Sequence, residues 1–191
     1  MKGRDSGMPE ETYWASFFDA EAAVARLLAE ITPHGDVVEF GCGYGAFTLA
    51  AARRTRGRVT ALDFEPDLVA HVRTKAPEAE LANIVAQARD FVAEGTGLAV
   101  ASQSHAMIYN LLRLERPVAL LIEARRVLRE VGILSVMHWR SDIATPRGPP
   151  LAIRPTPDQC RARIAQAGFR RIEPIDIEDC CPYHFAVMAD R

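Results

Sequence analysis

The residues best suited to chemistry form a glycine cluster near position 40. The run Glu39-Phe40-Gly41-Cys42-Gly43-Tyr44-Gly45 ends a short apolar stretch typical of a buried β-strand, and a helical pattern begins directly after it. Glycines let the backbone turn sharply and approach a ligand closely, and the N-terminus of the next helix offers free N–H groups. This arrangement indicates a nucleotide-type binding site.

Two carboxylates accompany the glycines. Asp63 comes 18 residues after Gly45, at the end of the next strand-like stretch, where a carboxylate can accept hydrogen bonds from two ribose hydroxyls. Glu39 lies two residues before the first glycine, where it would repel a pyrophosphate but can accept hydrogen bonds from an ammonium group or through water. Gly41, Gly43 and Ala46 also satisfy the G-x-G-x-x-A dinucleotide fingerprint, so an NAD(P)-dependent oxidoreductase is an alternative.

The scaffold that brings these residues together is visible as an alternation of strand-like and helical patterns. Strands are predicted over 36–40, 58–63, 83–88, 105–111, 131–139, 170–177 and 183–189. Helices are predicted over 45–54 and 66–75, and two more are predicted to begin at Pro117 and at Pro157. An earlier helix is indicated by an apolar stripe at Val24, Leu27, Leu28 and Ile31. Such alternation predicts an α/β fold with a mostly parallel sheet covered by helices on both faces. No helix separates the last two strands, so the final strand is predicted to be antiparallel.

Length and composition restrict the class of protein. The chain has 191 residues, 49% of them hydrophobic, and this predicts one domain over 1–191 with a core that needs no disulfide. The net charge is −2 with no strongly basic stretch, which argues against nucleic acid as a partner. The longest apolar run has five residues, far below the roughly 20 that cross a bilayer, so no membrane partner is predicted.

The N-terminus and the cysteines predict the compartment and the metal content. Residues 1–9 lack the apolar core of a signal peptide, which predicts a cytoplasmic protein. There the cysteines should be reduced, and Cys42, Cys160, Cys180 and Cys181 show no zinc-site spacing. No metal site is therefore predicted.

Motifs along nearly the whole chain carry a family resemblance. The stretch Val37–Ala50, then Asp63, Asp90-Phe91, Tyr109–Leu112 and Arg126–Leu134, resembles the class I S-adenosylmethionine-dependent methyltransferases, in particular the small type 11 group. The resemblance implies a Rossmann-like three-layer α/β/α sandwich whose seven strands lie in the order 3-2-1-4-5-7-6 with the last antiparallel. It also implies in-line methyl transfer from S-adenosylmethionine, with S-adenosylhomocysteine as product.

The resemblance assigns roles to residues of the glycine cluster and of the later motifs. Glu39 and the three glycines would line the methionine end of the cofactor, Asp63 would hold the ribose, and Asp90 with Phe91 would flank the adenine. The full predicted cofactor-binding set is Tyr13, Glu39, Gly41, Cys42, Gly43, Gly45, Asp63, Phe64, Asp90, Phe91 and Asn110.

The acceptor side is predicted from cationic and titratable residues near later strand ends. The N-terminal residues 1–18 are predicted to form a lid, although the aromatic rings at 14, 17 and 18 also fit a buried helix face. The proline-rich stretch 141–157 is predicted to border the acceptor. The predicted acceptor-binding residues are Arg113, Arg140, Arg147, Arg154 and Tyr183, which suit an anion, and the predicted bases are His138 and His184. The run Asn110–Arg113 lacks the acid or His that many relatives carry there.

The sequence therefore predicts a methyltransferase that acts on a small, anionic metabolite as a monomer or homodimer. A non-catalytic subunit that only binds S-adenosylmethionine is the second alternative, because no residue can be assigned as a base from the motifs alone.

Overall fold

Strands and helices alternate along most of the chain in the computed structural model, which describes residues 8–29 and 34–191. The strands are β1 (Val37–Phe40), β2 (Val59–Asp63), β3 (Ile84–Ala88), β4 (Gln103–Tyr109), β5 (Leu128–Trp139), β6 (Arg170–Ile175) and β7 (His184–Asp190). The helices are α1 (Glu11–Ala15), α2 (Ala20–Leu27), α3 (Ala46–Arg54), α4 (Pro66–Glu78), α5 (Pro117–Val127) and α6 (Pro157–Gln166), and a short 3₁₀ helix spans Leu151–Ile153. No helix in these two ranges combines the length and the apolar composition that crossing a membrane requires.

The strands of the described residues form one sheet in the order β3-β2-β1-β4-β5-β7-β6. The strands from β3 to β5 pair in parallel, whereas β7 runs antiparallel to both β5 and β6. The predicted strand order and the antiparallel final strand are thus confirmed. Since β1 lies between β2 and β4, the loops after these three strands meet at one edge of the sheet.

The core has one layer on each face of the sheet, and β1 contributes to both. Val38 and Phe40 pack with Leu121 of α5 and with α6 on one face, whereas Val37 packs with Leu27 of α2 and with α3 on the other. Successive side chains of a strand point to opposite faces, so Glu39 shares the face of Val37. Its carboxylate consequently lies on the α3 side of the sheet, within the core.

Several predicted element ends differ from the observed ones by a few residues. Helix α2 ends at Leu27, and Ile31 of the predicted stripe lies outside the described residues. Strand β5 begins at Leu128 instead of residue 131, because Leu128 pairs with Gln103 before the β4–β5 ladder shifts its register. The predicted start of α6 is confirmed: Thr156 and Gln159 form a capping box with N···O distances of 3.0 and 3.1 Å.

Candidate active site

A cavity of about 390 Å³ lies at the carboxyl ends of β1, β2, β4 and β5. We call its two sides the β1–β2 half, lined by residues 39–47 and 63–64, and the β4–β5 half, lined by residues 109–114, 139 and 147–153. The predicted cofactor-binding residues that line the cavity are Glu39, Gly41, Cys42, Gly43, Asp63, Phe64 and Asn110. The strand order therefore brings together residues that are up to 114 positions apart in the sequence, from Glu39 to Ile153.

The loop after β1 adopts a backbone conformation that requires glycine. Gly43 has φ of +54° and Gly45 has φ of +82°, both in the left-handed region. A Cβ on Gly45 would lie 2.8 Å from Cγ2 of Val72, closer than van der Waals contact, so a side chain there would push α3 away from α4. The loop thus presents bare backbone to the cavity, as close approach to a ligand requires.

Glu39 is a buried carboxyl group at the floor of the cavity. Only 2% of its surface is exposed, and the Thr48 hydroxyl of α3 donates a hydrogen bond to Oε2. Desolvation raises the pKa of Glu39 to about 8, because the charged form loses its water shell and the bond from Thr48 only partly offsets this loss. Without a bound cation, Glu39 is therefore mostly protonated at neutral pH.

Asp63 ties the glycine loop to the end of β2. Its Oδ2 accepts a hydrogen bond from the Gly43 N–H at 2.9 Å, and its Oδ1 accepts one from the Glu65 N–H at 3.1 Å. Burial raises the pKa of Asp63, while the two backbone donors oppose that rise. The carboxylate lines the cavity with lone pairs still available, so it can accept further hydrogen bonds from a bound ligand.

The β4–β5 half contains two arginine side chains, Arg113 and Arg147. Arg113 forms no ion pair or hydrogen bond with any residue in the described ranges 8–29 and 34–191. Desolvation at the cavity wall lowers the pKa of its guanidinium, since no described carboxylate offsets the loss of water. The group still carries its charge, so the cavity wall has a cation available for an anionic ligand.

The N-terminal segment, residues 8–15, covers one side of the cavity. Met8, Pro9 and Trp14 line it, and the Tyr44 hydroxyl donates a hydrogen bond to the Pro9 carbonyl at 2.8 Å. Glu11 accepts from Lys75 of α4, which anchors the segment on the outside. Residues 1–7 of the predicted lid lie outside the described residues, and closure of the segment as a lid stays a prediction.

A comparison with families of known proteins shows to which family the chain belongs. Residues 37–132, half of the chain, match a family model described as "Methyltransferase domain". The chain belongs to this family. The match confirms the resemblance to class I S-adenosylmethionine-dependent methyltransferases, whose cofactor is S-adenosylmethionine, and it does not support the alternative of an NAD(P)-dependent oxidoreductase.

Solved structures show the same fold at low sequence identity. A SAM-dependent methyltransferase from Aquifex aeolicus has a TM-score of 0.78 at 19% identity, covering 94% of this chain and 93% of that one. Geranyl diphosphate C-methyltransferase from Streptomyces coelicolor A3(2) has a TM-score of 0.73 at 15% identity, covering 98% and 90%. The [4+2]-cyclase SpnF has a TM-score of 0.76 at 17% identity, covering 90% and 80%, so this fold alone does not fix the reaction. No curated protein sequence matches the chain.

The β1–β2 half of the methyltransferase cavity fits S-adenosylmethionine in chemistry and shape. Gly41 and Gly43 leave room for close approach, and a Cβ on Gly43 would already lie 3.2 Å from Cε of Met8. Two buried carboxyl groups, Glu39 and Asp63, line the cavity and could accept hydrogen bonds from the ammonium group and the ribose hydroxyls of this cofactor. The donors and acceptors on the two sides are therefore complementary.

Four predicted cofactor-binding residues do not line the cavity. Gly45 lies behind the cavity lining, where it is the N-cap of α3 in a left-handed conformation. The ring of Tyr13 lies against that of Phe17, with the ring centroids 4.9 Å apart. Phe91 is 2% exposed and packs edge-on against Phe40 in the core, whereas Asp90 caps the following turn by accepting from the Ala93 N–H at 3.0 Å. These four residues therefore lie outside the cavity lining, and their predicted contacts with the cofactor stay predictions.

Three predicted acceptor-binding residues are also absent from the cavity lining. Arg140 forms ion pairs with Asp142 and Glu178, and Tyr183 packs against Phe17. Arg154 is 7% exposed and donates to three main-chain carbonyls of residues 140, 147 and 149, at 2.8, 3.3 and 2.7 Å. Its donors hold the proline-rich stretch 141–157 in place, and none is directed at a ligand.

The two predicted bases are buried outside the cavity lining. His138 is fully buried, and burial lowers its pKa to about 4. His184 is 3% exposed, its ring lies 4.2 Å from that of Trp139, and burial lowers its pKa to about 3. Both are neutral at physiological pH and neither faces an acceptor, so the geometry does not support the predicted role as bases.

Sequence reasoning missed several residues that line the β4–β5 half. Trp139 lines the cavity, although the preceding His138 was predicted to act there. Alternation along β5 is the signal that separates them, since neighbouring side chains point to opposite faces and Trp139 shares the face of Met137. Trp14 and Ile153 lie in the predicted lid 1–18 and in the predicted acceptor-side stretch 141–157, but neither was predicted as a site residue, because these segments contain no strand or long helix that would fix a side chain's direction.

The protonation of Glu39 predicts how cofactor affinity depends on pH. An ionised Glu39 would accept a hydrogen bond from the cofactor ammonium, whereas the free protein holds Glu39 protonated up to about pH 8. Binding should therefore release one proton, and the affinity for S-adenosylhomocysteine should rise by about tenfold per pH unit as the pH approaches 8. Titration calorimetry from about pH 6 to about pH 8, in buffers of different ionisation enthalpy, measures both quantities.

Two variants check that Glu39 causes this dependence. Glu39→Gln imitates the protonated side chain and keeps an acceptor for Thr48, so it should bind more weakly and lose the rise with pH. Glu78→Gln, at the exposed end of α4, should retain the wild-type profile. An unchanged pH profile in Glu39→Gln would contradict the role assigned to Glu39.

Proposed function

We propose that this enzyme transfers a methyl group from S-adenosylmethionine to a small, anionic acceptor. The observation that supports the proposal is the guanidinium of Arg113, which lines the β4–β5 half and has no ion pair or hydrogen bond among the described residues. The Arg113 side chain is exposed beside the cavity, and a guanidinium can hold a carboxylate or phosphate through two hydrogen bonds. Arg147 lies on the same side of the cavity.

The β1–β2 half would hold the cofactor. Glu39 would accept from its ammonium group, Asp63 would accept from its ribose, and the loop at Gly41 and Gly43 would pack along it. When bound, the sulfonium supplies a methyl group that is electrophilic without further activation. The carboxyl groups near it also place negative charge on the cofactor side, which directs an anionic acceptor to the arginine side.

The size of the cavity supports a small acceptor. Ligand cavities span about 300 to 1,000 Å³, and this one, at about 390 Å³, lies near the lower limit while serving both the cofactor and the acceptor. The N-terminal segment and the 3₁₀ helix at Leu151–Ile153 narrow its mouth. A large acceptor would have to displace one of them.

The chain itself then contributes alignment and exclusion of water. The carboxyl ends of β1 and β4 are neighbours in the sheet, so the two halves of the cavity adjoin at Glu39 and Tyr109. Fixing two reactants side by side supplies a large part of the rate enhancement in a displacement of this kind. Apolar side chains at Trp14, Trp139 and Ile153 reduce the access of water to the cavity.

Fractionated small molecules test the proposal. The filtrate of a cell extract is separated on an anion exchanger, and each fraction is incubated with the enzyme and S-adenosylmethionine labelled in the methyl group. We expect labelled product from the retained, anionic fraction. Product only from the unretained fraction, or none from any fraction, would contradict an anionic small-molecule acceptor.

Two arginine variants identify the acceptor contact. Arg113→Met should reduce methyl transfer at limiting acceptor by about tenfold to a hundredfold, because it removes a charge-assisted hydrogen bond worth about 1.5–3 kcal/mol. Its affinity for S-adenosylhomocysteine should not change. Arg116→Met, an exposed arginine at the N-cap of α5, is the matched control and should behave like the wild type.

A further inference from the structure

The β4–β5 half is not a generally polar anion site, because most of its surface is apolar. Trp139 and Leu114 line its inner part, and Pro149 and Ile153 line it from the proline-rich stretch. Trp14 of α1 closes the same space, with its ring centroid 6.0 Å from that of Trp139 and an interplanar angle of 64°. This part of the lining is therefore formed by indole and aliphatic side chains, of which Trp14 is half-buried and Trp139 is 2% exposed.

Trp139 is held rigidly from several sides. The guanidinium of Arg154 lies 5.7 Å from its ring centroid, and the ring of His184 lies 4.2 Å away. The backbone of Gly148 approaches so closely that a Cβ there would lie 2.9 Å from Cδ2 of Trp139. A ligand that contacts this indole meets a surface that is already ordered, so little conformational entropy is lost on binding.

The charged side chains in this half, among the described residues, are the cations Arg113 and Arg147. A compact polyanion would pair with Arg113 but would place its remaining charge against indole and proline, where burying an unpaired charge is costly. A neutral aromatic compound would suit the indoles but would leave the charge of Arg113 without a partner among the described residues. Both features are satisfied together only by a ligand with an apolar part and an anionic part.

We propose that the acceptor is a planar aromatic carboxylate, with its ring against Trp14 and Trp139 and its carboxylate on Arg113. This inference rests on the proposed function and narrows its acceptor class. Aromatic rings pack well against indole edges and faces, and the guanidinium matches the planar carboxylate through two parallel hydrogen bonds. The nearby indoles lower the local polarity, which strengthens that ion pair.

Three probes separate the contributions of the ring and the charge. Cinnamate has both, cinnamamide has the same shape without the charge, and succinate has charge without a ring. Each is titrated by calorimetry into the full chain saturated with S-adenosylhomocysteine. We expect cinnamate to bind about tenfold more tightly than either of the others, since one charge-assisted hydrogen bond contributes at least that factor.

Two variants assign the preference to the named residues. Arg113→Met should abolish the preference for cinnamate over cinnamamide and leave the affinity for cinnamamide unchanged. Trp14→Ala should weaken cinnamate and cinnamamide by a similar factor, while Ile122→Ala, an exposed apolar residue on α5, should have no effect. The affinity for S-adenosylhomocysteine reports in each case whether the cavity is intact.

The outcomes distinguish this inference from the function on which it rests. Succinate binding as tightly as cinnamate would overturn the aromatic class but leave an anionic acceptor. Equal affinity for cinnamate and cinnamamide would overturn the anionic acceptor, and with it the proposed function. Failure of all three probes to bind a chain that holds S-adenosylhomocysteine would overturn the inference alone.

Discussion

Replacing Asp63 with Ala is expected to lower the affinity for S-adenosylhomocysteine by about a hundredfold, the largest effect of any single side chain in the cavity. With the cofactor placed as proposed, the change removes charge-assisted hydrogen bonds to the ribose, each worth about 1.5–3 kcal/mol. It also removes the acceptor for the Gly43 N–H, which Asp63 holds at 2.9 Å. The substitution therefore removes a ligand contact and a hydrogen bond that holds the glycine loop. Titration calorimetry with S-adenosylhomocysteine measures the combined loss of affinity.

Asp63→Asn separates these two contributions. Its amide oxygen can still accept from Gly43, so the loop should keep its shape while the charge is lost, and the expected reduction is closer to tenfold. Asp67→Ala, an exposed acid in the first turn of α4, is the matched control and should bind like the wild type. If Asp63→Ala retained wild-type affinity, the placement of the cofactor in the β1–β2 half would be wrong.

The residues of the β1–β2 half were predictable from the sequence because they lie at fixed positions in or beside regular elements. Glu39 is in β1, Asp63 ends β2, and the glycines fill the turn between β1 and α3, so local spacing determines where they meet. The order of the strands then follows from the family resemblance and from the missing helix before β7. These features depend on backbone geometry, which leaves a strong pattern in the sequence.

The side-chain directions in the loop after β3 could not be predicted in the same way. Asp90 and Phe91 follow a strand just as Asp63 does, but the chain turns so that the Phe91 ring enters the core against Phe40. An aromatic residue at a strand end is equally compatible with a ligand contact and with core packing. Only the tertiary packing of α5 against the sheet decides between them.

The positions of the predicted acceptor-binding arginines could not be predicted from the sequence either. Arg113 and Arg154 each follow an apolar residue outside the regular elements, but Arg113 lines the cavity while Arg154 is buried among the carbonyls of the proline-rich stretch. The carbonyls that Arg154 satisfies come from residues 5, 7 and 14 positions earlier in an irregular stretch. Irregular backbone carries no periodic signal, so its hydrogen-bond partners cannot be read from sequence.

Acidification below about pH 6.5 is expected to destabilise the fold steeply, because three histidines are buried in their neutral form. Burial lowers the pKa of His105 to about 3, of His138 to about 4 and of His184 to about 3. In the unfolded chain each would titrate near 6.5, so between these values the unfolded state binds more protons and the free energy of unfolding falls as the pH falls. Glu39 acts in the opposite sense, because the folded state keeps it protonated up to about pH 8.

The net difference of about two protons gives a slope approaching 3 kcal/mol per pH unit near pH 5. The histidine contributions fade above about pH 6.5 and fall below that of Glu39 near pH 7, so the free energy of unfolding should be greatest near pH 7 and decline slightly towards pH 8. Urea denaturation between about pH 5 and about pH 8 measures this curve in a range where exposed carboxylates stay ionised in both states.

A histidine variant assigns the slope, independently of any change in absolute stability. His184→Gln should reduce the slope between about pH 5 and about pH 6 by about 1.4 kcal/mol per pH unit, the contribution of one proton. His34→Gln changes an exposed histidine outside the core and is the matched control, for which the wild-type slope is expected. A wild-type free energy of unfolding that stayed constant from about pH 6.5 to about pH 5 would show that the buried histidines accept protons in the folded protein. It would contradict the burial of His138 in β5 and of His184 in β7.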